Sequence, residues 1–269
     1  MGILLVFVVI VALIVIAAVV AGKFNMFSSN EPAAESNVSD SSMIADETDP
    51  GDESAQGTDG AEVSAQTEPA VVEEEVQPTG ILVCLDAGHG GNDIGTSSDD
   101  RVEKTDTLRL VMAIKDAMEA KGIEVYLTRE DDTYLDVRDR GPMANDAGAD
   151  YFISIHRNSA GGLGQGVEVW KATNASEEGC LLADNIMAGL EDVGISRNRG
   201  VRTGSQSSEY EDYEVLRTSS MPGVLIEMGF VEIDEDNQLF DDNLEAYAEA
   251  ITQAVLDTHA AMHGDSDGE

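Results

Sequence analysis

For residues 80–263 the sequence predicts an α/β domain with a twisted, mainly parallel sheet covered by helices. Three observations predict it. Short apolar runs recur at residues 81–85, 125–128, 151–155, 167–170 and 224–226, with the length and composition of buried strands. Segments with helical periodicity separate most of these runs. Alternation of the two patterns marks a sheet whose crossover helices cover its faces.

The first apolar run leads through Asp86 into a turn in which Gly88, Gly90 and Gly91 surround His89, and glycine lets the backbone turn tightly there. After Thr105, Leu108, Val111, Met112 and Met118 fall on one face of a helix that ends at Gly122. Pro142 suits the first position of a shorter helix. Ser176, followed by Glu177 and Glu178, reads as the N-cap and acidic first turn of a helix reaching Val193. The last helix covers about residues 243–262 and repeats Leu244, Tyr247, Ile251 and Val255 along one face. Cys84 lies in a strand run and Cys180 in a helical one; they read as two buried free thiols, with a disulfide left open.

Outside this domain the composition changes. Residues 1–22 form an almost unbroken apolar run, about the length that spans a bilayer core. It reads as a transmembrane anchor, with a signal sequence cleaved after Ala17, Ala18 or Ala21 as the alternative. Lys23, on its C-terminal side, argues by the charge rule for a cytoplasmic continuation and so against export. Residues 23–79 hold no further Lys or Arg and are rich in Ser, Ala, Thr, Asp and Glu, as in an acidic disordered linker that cannot bury enough apolar surface to fold. Residues 264–269 read as a disordered tail. With 15 basic against 53 acidic residues the net charge is −38, which excludes nucleic acid as a partner and adhesion to anionic polymers by charge alone.

Four residues from distant segments stand out: His89 in LDAGHGG, Glu103 in an acidic, loop-like stretch, His156 in SIHRN and Glu227 in LIEMGF. Two imidazoles and two carboxylates are what a hydrolytic zinc site needs, namely three ligands, an open position for water and a base. Each admits an ordinary role as well. His89 alone suits a turn histidine bonded to backbone, though Asp86 could orient its ring as a metal ligand. His156 could be a satisfied core histidine, and Glu103 a charge at a helix N-terminus beside Asp99, Asp100 and Asp106. Glu227 is harder to dismiss, because a carboxylate closing the run Val224, Leu225, Ile226 is costly to bury without purpose. All three strand-associated residues are expected at strand ends, where sites of open α/β sheets gather. His259 and His263, four apart on the last helix, also have metal-binding spacing, but read as a pair interacting with the helix terminus. Arg140, Arg157 and Arg217 could hold a substrate carboxylate, with pairing to surface acids as the default.

Over residues 81–260 the chain resembles the zinc-dependent N-acetylmuramoyl-L-alanine amidases of the amidase_3 type. The resemblance rests on LDAGHGG, Glu103, VRDR and MAND leading into ADYFISIHRNS, then GVEVW, RGVR, EVLR and PGVLIEMGF in that order. It implies a single catalytic zinc on His89, Glu103 and His156, with Glu227 as catalytic glutamate, and peptidoglycan as substrate. Arg217 and Asn158 become candidate substrate-binding residues. After EMGF, Val231-Glu232-Ile233-Asp234 departs from the family pattern without touching a ligand. Taken together, the expectation is a monomeric, membrane-anchored enzyme of the cell envelope with an extracytoplasmic catalytic domain, or a secreted one if the first segment is cleaved. A zinc peptidase acting on the stem peptide and a silent peptidoglycan-binding module are the alternatives.

Overall fold

The computed structural model describes residues 76–264. The apolar run 1–22, most of the linker and the tail beyond residue 264 lie outside them, and among the described residues no helix is long and apolar enough to cross a membrane. In chain order the elements are β1 (Leu82–Ala87), the short hairpin β2 (Ser97–Ser98) and β3 (Arg101–Val102), α1 (Glu103–Ala120), β4 (Glu124–Leu127), α2 (Val137–Ala147) and β5 (Tyr151–Asn158). There follow β6 (Val167–Lys171), α3 (Glu177–Val193), β7 (Asn198–Thr203), α4 (Glu214–Thr218), β8 (Gly223–Phe230), α5 (Asp234–Asp242) and α6 (Leu244–His263). Six strands make one sheet in the order β4-β1-β5-β8-β6-β7, parallel throughout except where β6 runs against β8.

All five expected strands are present, and most run longer than their apolar cores. His156 and Glu227 accordingly lie inside β5 and β8 rather than at their ends. The edge strand β7, NRGVRT, was not anticipated because it alternates arginines with small residues and buries neither face fully. Thr79 already belongs to the fold, since its amide and hydroxyl both donate to the Gly122 carbonyl.

The two faces of the sheet are unequal. On one, Val83, Leu85, Ile153, Ile155, Val169, Val224 and Ile226 pack under α1, α3 and α6 in the large core. On the other, Cys84, Phe152, Leu225 and Trp170 meet only the short helices α2 and α4, through Ala144, Val215 and Leu216. Because side chains alternate along a strand, the next residues up on this thinly covered face are Asp86, Ser154, Glu227 and Glu168. The polar groups of the domain therefore gather where the smaller layer stops.

Pro142 does not begin α2. The helix starts five residues earlier, where the Asp136 carboxylate caps the Arg138 amide, and Pro142 sits inside it. The preceding Gly141 lies against α4 so closely that a Cβ there would stand 2.3 Å from Thr218 Oγ1. Ser176 caps α3 by accepting from the Gly179 amide, as expected. Cys84 and Cys180 are both free, the first buried and the second only partly so.

At the centre of the thin face Asp86 is fully buried and takes three partners: Arg140 Nη1 at 2.8 Å, Thr128 Oγ1 at 2.7 Å and Ser154 Oγ at 2.7 Å. It joins β1, the end of β4, β5 and α2. Burial alone would raise its pKa, but the Arg140 guanidinium and the two hydroxyls outweigh that and hold it below the usual carboxylate range. The stability it contributes is thus complete above its unfolded pKa of about 3.9 and is lost as pH falls through the lower folded value. Asp86→Asn should lower unfolding stability by about 3–5 kcal/mol, because Arg140 is left buried without its counter-charge. Denaturant titrations at pH 7 measure the loss, and the variant's stability should respond less to acid below about pH 4 than wild type's.

Candidate metal centre

The turn after β1 is held in an unusual shape by arginine. His89 has φ of 62°, a conformation that non-glycine residues adopt rarely and at an energetic cost. Arg140, anchored on Asp86, also donates to the Ala87 carbonyl at 2.7 Å and to the His89 carbonyl at 2.9 Å. Arg129 donates to Ala87 at 2.8 Å and to Gly88 at 3.0 Å. Arg140 and Arg157 are thus buried cations rather than surface pairing partners: Arg157 donates to Asp106 and Asn237 and lies 4.5 Å over the Phe240 ring. Asp86 does not orient the His89 imidazole, since its carboxylate is occupied by Arg140, Thr128 and Ser154. Asp93 stands there instead, its Oδ1 3.0 Å from His89 Nδ1, within ion-pair distance but outside hydrogen-bond alignment.

Glu103 is the first residue of α1, three positions ahead of the expected start, and not part of a loop. The hairpin β2–β3 delivers it to the site. Its Oε2 accepts from the Thr96 amide at 2.8 Å, and its Oε1 accepts from the Arg157 amide at 3.0 Å. The same Oε1 lies 3.0 Å from His156 Nδ1 and 3.1 Å from His89 Nε2. The two imidazoles meet nearly edge to face, with ring centroids 5.0 Å apart. One ligand atom from each of His89, Glu103 and His156 thus falls within 4.8 Å of the other two.

Two glycines make room for this convergence. A Cβ on Gly88 would stand 2.4 Å from the His156 ring, and one on Gly95 would stand 2.5 Å from Glu103 Oε2. Burial works against charge on Glu103, yet the hydrogen bonds and proximity of His156 and His89 outweigh it and keep the carboxylate ionised far below its ordinary range. An ionised carboxylate and two imidazoles aimed at one point fit a divalent cation of zinc type.

Glu227 stands beside this triangle. In register across the sheet, it is the neighbour of His156 in β5 on one side and of Glu168 in β6 on the other. It is 6% exposed, and its Oε2 has no hydrogen-bond partner. Burial, then the charges of Glu103 and Glu168, push its pKa well above the ordinary carboxylate value. A carboxylate so placed exchanges a proton readily.

Glu168 escaped sequence reasoning, although a carboxylate inside the apolar run GVEVW carries the same signal that drew attention to Glu227. It accepts from Arg199 Nε at 2.5 Å and Trp170 Nε1 at 3.0 Å. The hydrogen-bonding of Glu168 leaves Glu227 the unpartnered member of the pair. Around them two openings flank the centre. A depression of about 140 Å³ is lined by both imidazoles with Asp93, Tyr134, Asp136 and Val215. On the β6–β7 side a cleft of about 830 Å³ is bounded by Asn158, Glu168, Trp170, Arg199, Arg202 and Gln206. Asn158 lines this cleft, with its side-chain oxygen accepting from Gln206 at 2.8 Å. Arg217 stays exposed on α4 and pairs with Glu214.

Comparison with known proteins agrees with this geometry. The profile of the Amidase_3 family, described as N-acetylmuramoyl-L-alanine amidase, matches residues 83–257. The probable cell wall amidase LytH of Staphylococcus aureus is 32% identical over 183 residues, which are 66% of this chain and 57% of that protein, so the chain spans little more than half the length of this curated relative. The crystal structure of an N-acetylmuramoyl-L-alanine amidase from Clostridium difficile 630 superposes with a TM-score of 0.60 at 33% identity, covering 70% of this chain and 98% of that one. The amidase AmiC2 of Nostoc punctiforme gives a TM-score of 0.57 at 30% identity over 67% and 98% of the two chains. With its β5–β8 pair carrying His156 and Glu227 side by side, the chain belongs to the Amidase_3 family of N-acetylmuramoyl-L-alanine amidases.

Proposed function

We propose that the chain hydrolyses the amide between N-acetylmuramic acid and the L-alanine of the peptidoglycan stem, using one zinc ion held by His89, Glu103 and His156. The observation that carries this reading is the unpartnered, buried Glu227 carboxylate in register beside the ligand triangle. A bound zinc would lower the pKa of water to about 7 and polarise the scissile carbonyl. Glu227, whose pKa burial and the neighbouring carboxylates raise above the ordinary carboxylate value, takes the proton of the attacking water and returns it to the departing amine. Glu103 stays ionised throughout, and the arginine-held turn fixes the direction of the His89 ring.

The substrate lies along the larger cleft. In a chain of net charge −38, Arg199 and Arg202 form a local basic rim there, suited to the carboxylates of a stem peptide. Asn158 bounds the same cleft, and Arg217 has free donors for a carboxylate approaching over α4. Residues 1–22 as an anchor and 23–79 as a tether would hold a monomeric catalytic domain outside the membrane, close to the wall, at high effective concentration. Cell growth, cell separation and spore-wall processing all need such a cut.

Digestion of purified muropeptides, read by mass spectrometry, should release stem peptides with a free N-terminal L-alanine. Fragments cut between amino acids would instead identify a peptidase, and an intact substrate beside a metal-loaded protein would identify a binding module. His89→Ala and His156→Ala should each lose one zinc equivalent relative to wild type. Glu227→Gln should retain it while turnover falls by roughly 10²–10⁴-fold. Metal analysis and kinetics on the same samples test the pair of statements, and equal zinc in all variants would falsify the ligand assignment.

A further inference from the structure

A second constellation lies at the other end of the sheet and on its other face. Tyr151 opens β5, five residues before His156, or roughly 16 Å along the strand, and its side chain packs into the large core under α1, α3 and α6. Its phenol donates to Glu178 Oε1 at 2.5 Å, in the first turn of α3. The same phenol oxygen lies 3.3 Å from His259 Nδ1. One turn further along α6, His263 Nε2 stands 2.9 Å from the same Glu178 oxygen. The two imidazole rings are tilted by 35° with centroids 4.5 Å apart.

We propose that Glu178, His259 and His263 form a second metal site, separate from the catalytic triangle, which takes a borderline divalent ion such as Zn²⁺.

Three arguments carry it. Among the described residues, two groups of three metal-binding side chains bring their ligand atoms within 4.8 Å of one another; this is one, and the catalytic triangle, with the same two-imidazole, one-carboxylate composition, is the other. In a tetrahedral zinc site with bonds near 2.0–2.1 Å, ligand atoms stand about 3.4 Å apart, so small rotamer adjustments of His259 and His263 close the gap. Second, an ordinary ion pair between the C-terminal turn of α6 and the first turn of α3 would need His263 alone. His259 adds nothing to that pair, yet it sits on the same face one turn back, where a two-imidazole grip requires it. Third, the carboxylate is already oriented. Tyr151 is fully buried and its phenol donates to Glu178 Oε1, which holds that carboxylate in one orientation, as outer partners of metal ligands do.

The donor set favours zinc, nickel or copper over magnesium or calcium, which want oxygen ligands. His263 is half exposed, which leaves an open side for exchange with solution. An ion here would staple the end of the last helix to the start of α3, toward the opposite end of β5 from the catalytic triangle and on the other face of the sheet.

The test uses the full-length chain, stripped with a chelator and then dialysed against Zn²⁺ alone. Wild type should retain one equivalent more than the His259→Gln/His263→Gln double variant. Glu178→Gln should bind that equivalent at least about tenfold more weakly. Muropeptide turnover should be unchanged in both, and circular dichroism confirms that they fold. Zinc should also raise the thermal midpoint of His89→Ala, and adding the double substitution should abolish the shift. Equal zinc content in wild type and the double variant overturns the proposal, as does undiminished affinity in Glu178→Gln. Failure of the catalytic assignment would show differently, as equal zinc in wild type and His89→Ala with the double-variant difference intact.

Discussion

The grip of two buried guanidinium groups on the backbone that follows β1 is what the remaining features of the domain depend on. Arg140 and Arg129 spend their donors on the carbonyls of residues 87–89, and Asp86 supplies the counter-charge that lets Arg140 stay inside. Left to itself, a histidine would not hold φ of 62°. Satisfied carbonyls on every side make that conformation the one with fewest orphaned groups, and the imidazole is delivered to the same place in each molecule. Free-energy cost at this turn is met by interactions that extend into four elements of the sheet's thin layer.

Charge in this protein is arranged by depth. Acidic residues outnumber basic ones more than threefold, and among the described residues the buried acids are Asp86, Glu103, Asp106, Glu168, Glu227 and Asp236. Half of the ten arginines are set apart from the surface: Arg129, Arg140 and Arg157 are buried, and Arg199 and Arg202 border the cleft. Arg157 shows what this costs. Burial depresses even its guanidinium pKa to about 10, and Asp106, Asn237 and the face of Phe240 are all recruited to keep it in place. In return its backbone amide holds Glu103 Oε1 at the point where two imidazoles converge.

Much of the fold was legible because the central strands β1, β5 and β8 are buried almost throughout and read as apolar runs, and the shorter runs of β4 and β6 are still mainly apolar. β7, at the other edge, carries arginines that line the cleft, so its pattern follows that cleft rather than burial. His89, Glu103, His156 and Glu227 could be singled out by residue type beside hydrophobic or glycine-rich sequence. Their supports could not. Nothing local distinguishes Arg140, which is buried, from Arg138, which lies exposed one turn-edge away on the same helix, because the difference is set by which face α2 turns to a strand 54 residues distant. Pro142 misled for a related reason: an N-terminal proline preference is weaker than the tertiary contact that brings Gly141 against α4. The histidine pair of α6 was visible as spacing, but Glu178 and Tyr151 reach it only through helix packing.

The single antiparallel junction of the sheet has a further meaning. β6 and β7 join the rest of the strands only through β8, and the broad cleft lies over that two-stranded wing, while the candidate ligands and Glu227 sit on the turn after β1, on β5, on β8 and on α1. The broad cleft and the ligand triangle thereby rest on different parts of one sheet, sharing a border along the Glu227–Glu168 register. Side chains of the wing can therefore change without disturbing the backbone that aims the two imidazoles, as one would change the jaw of a tool without resetting its blade.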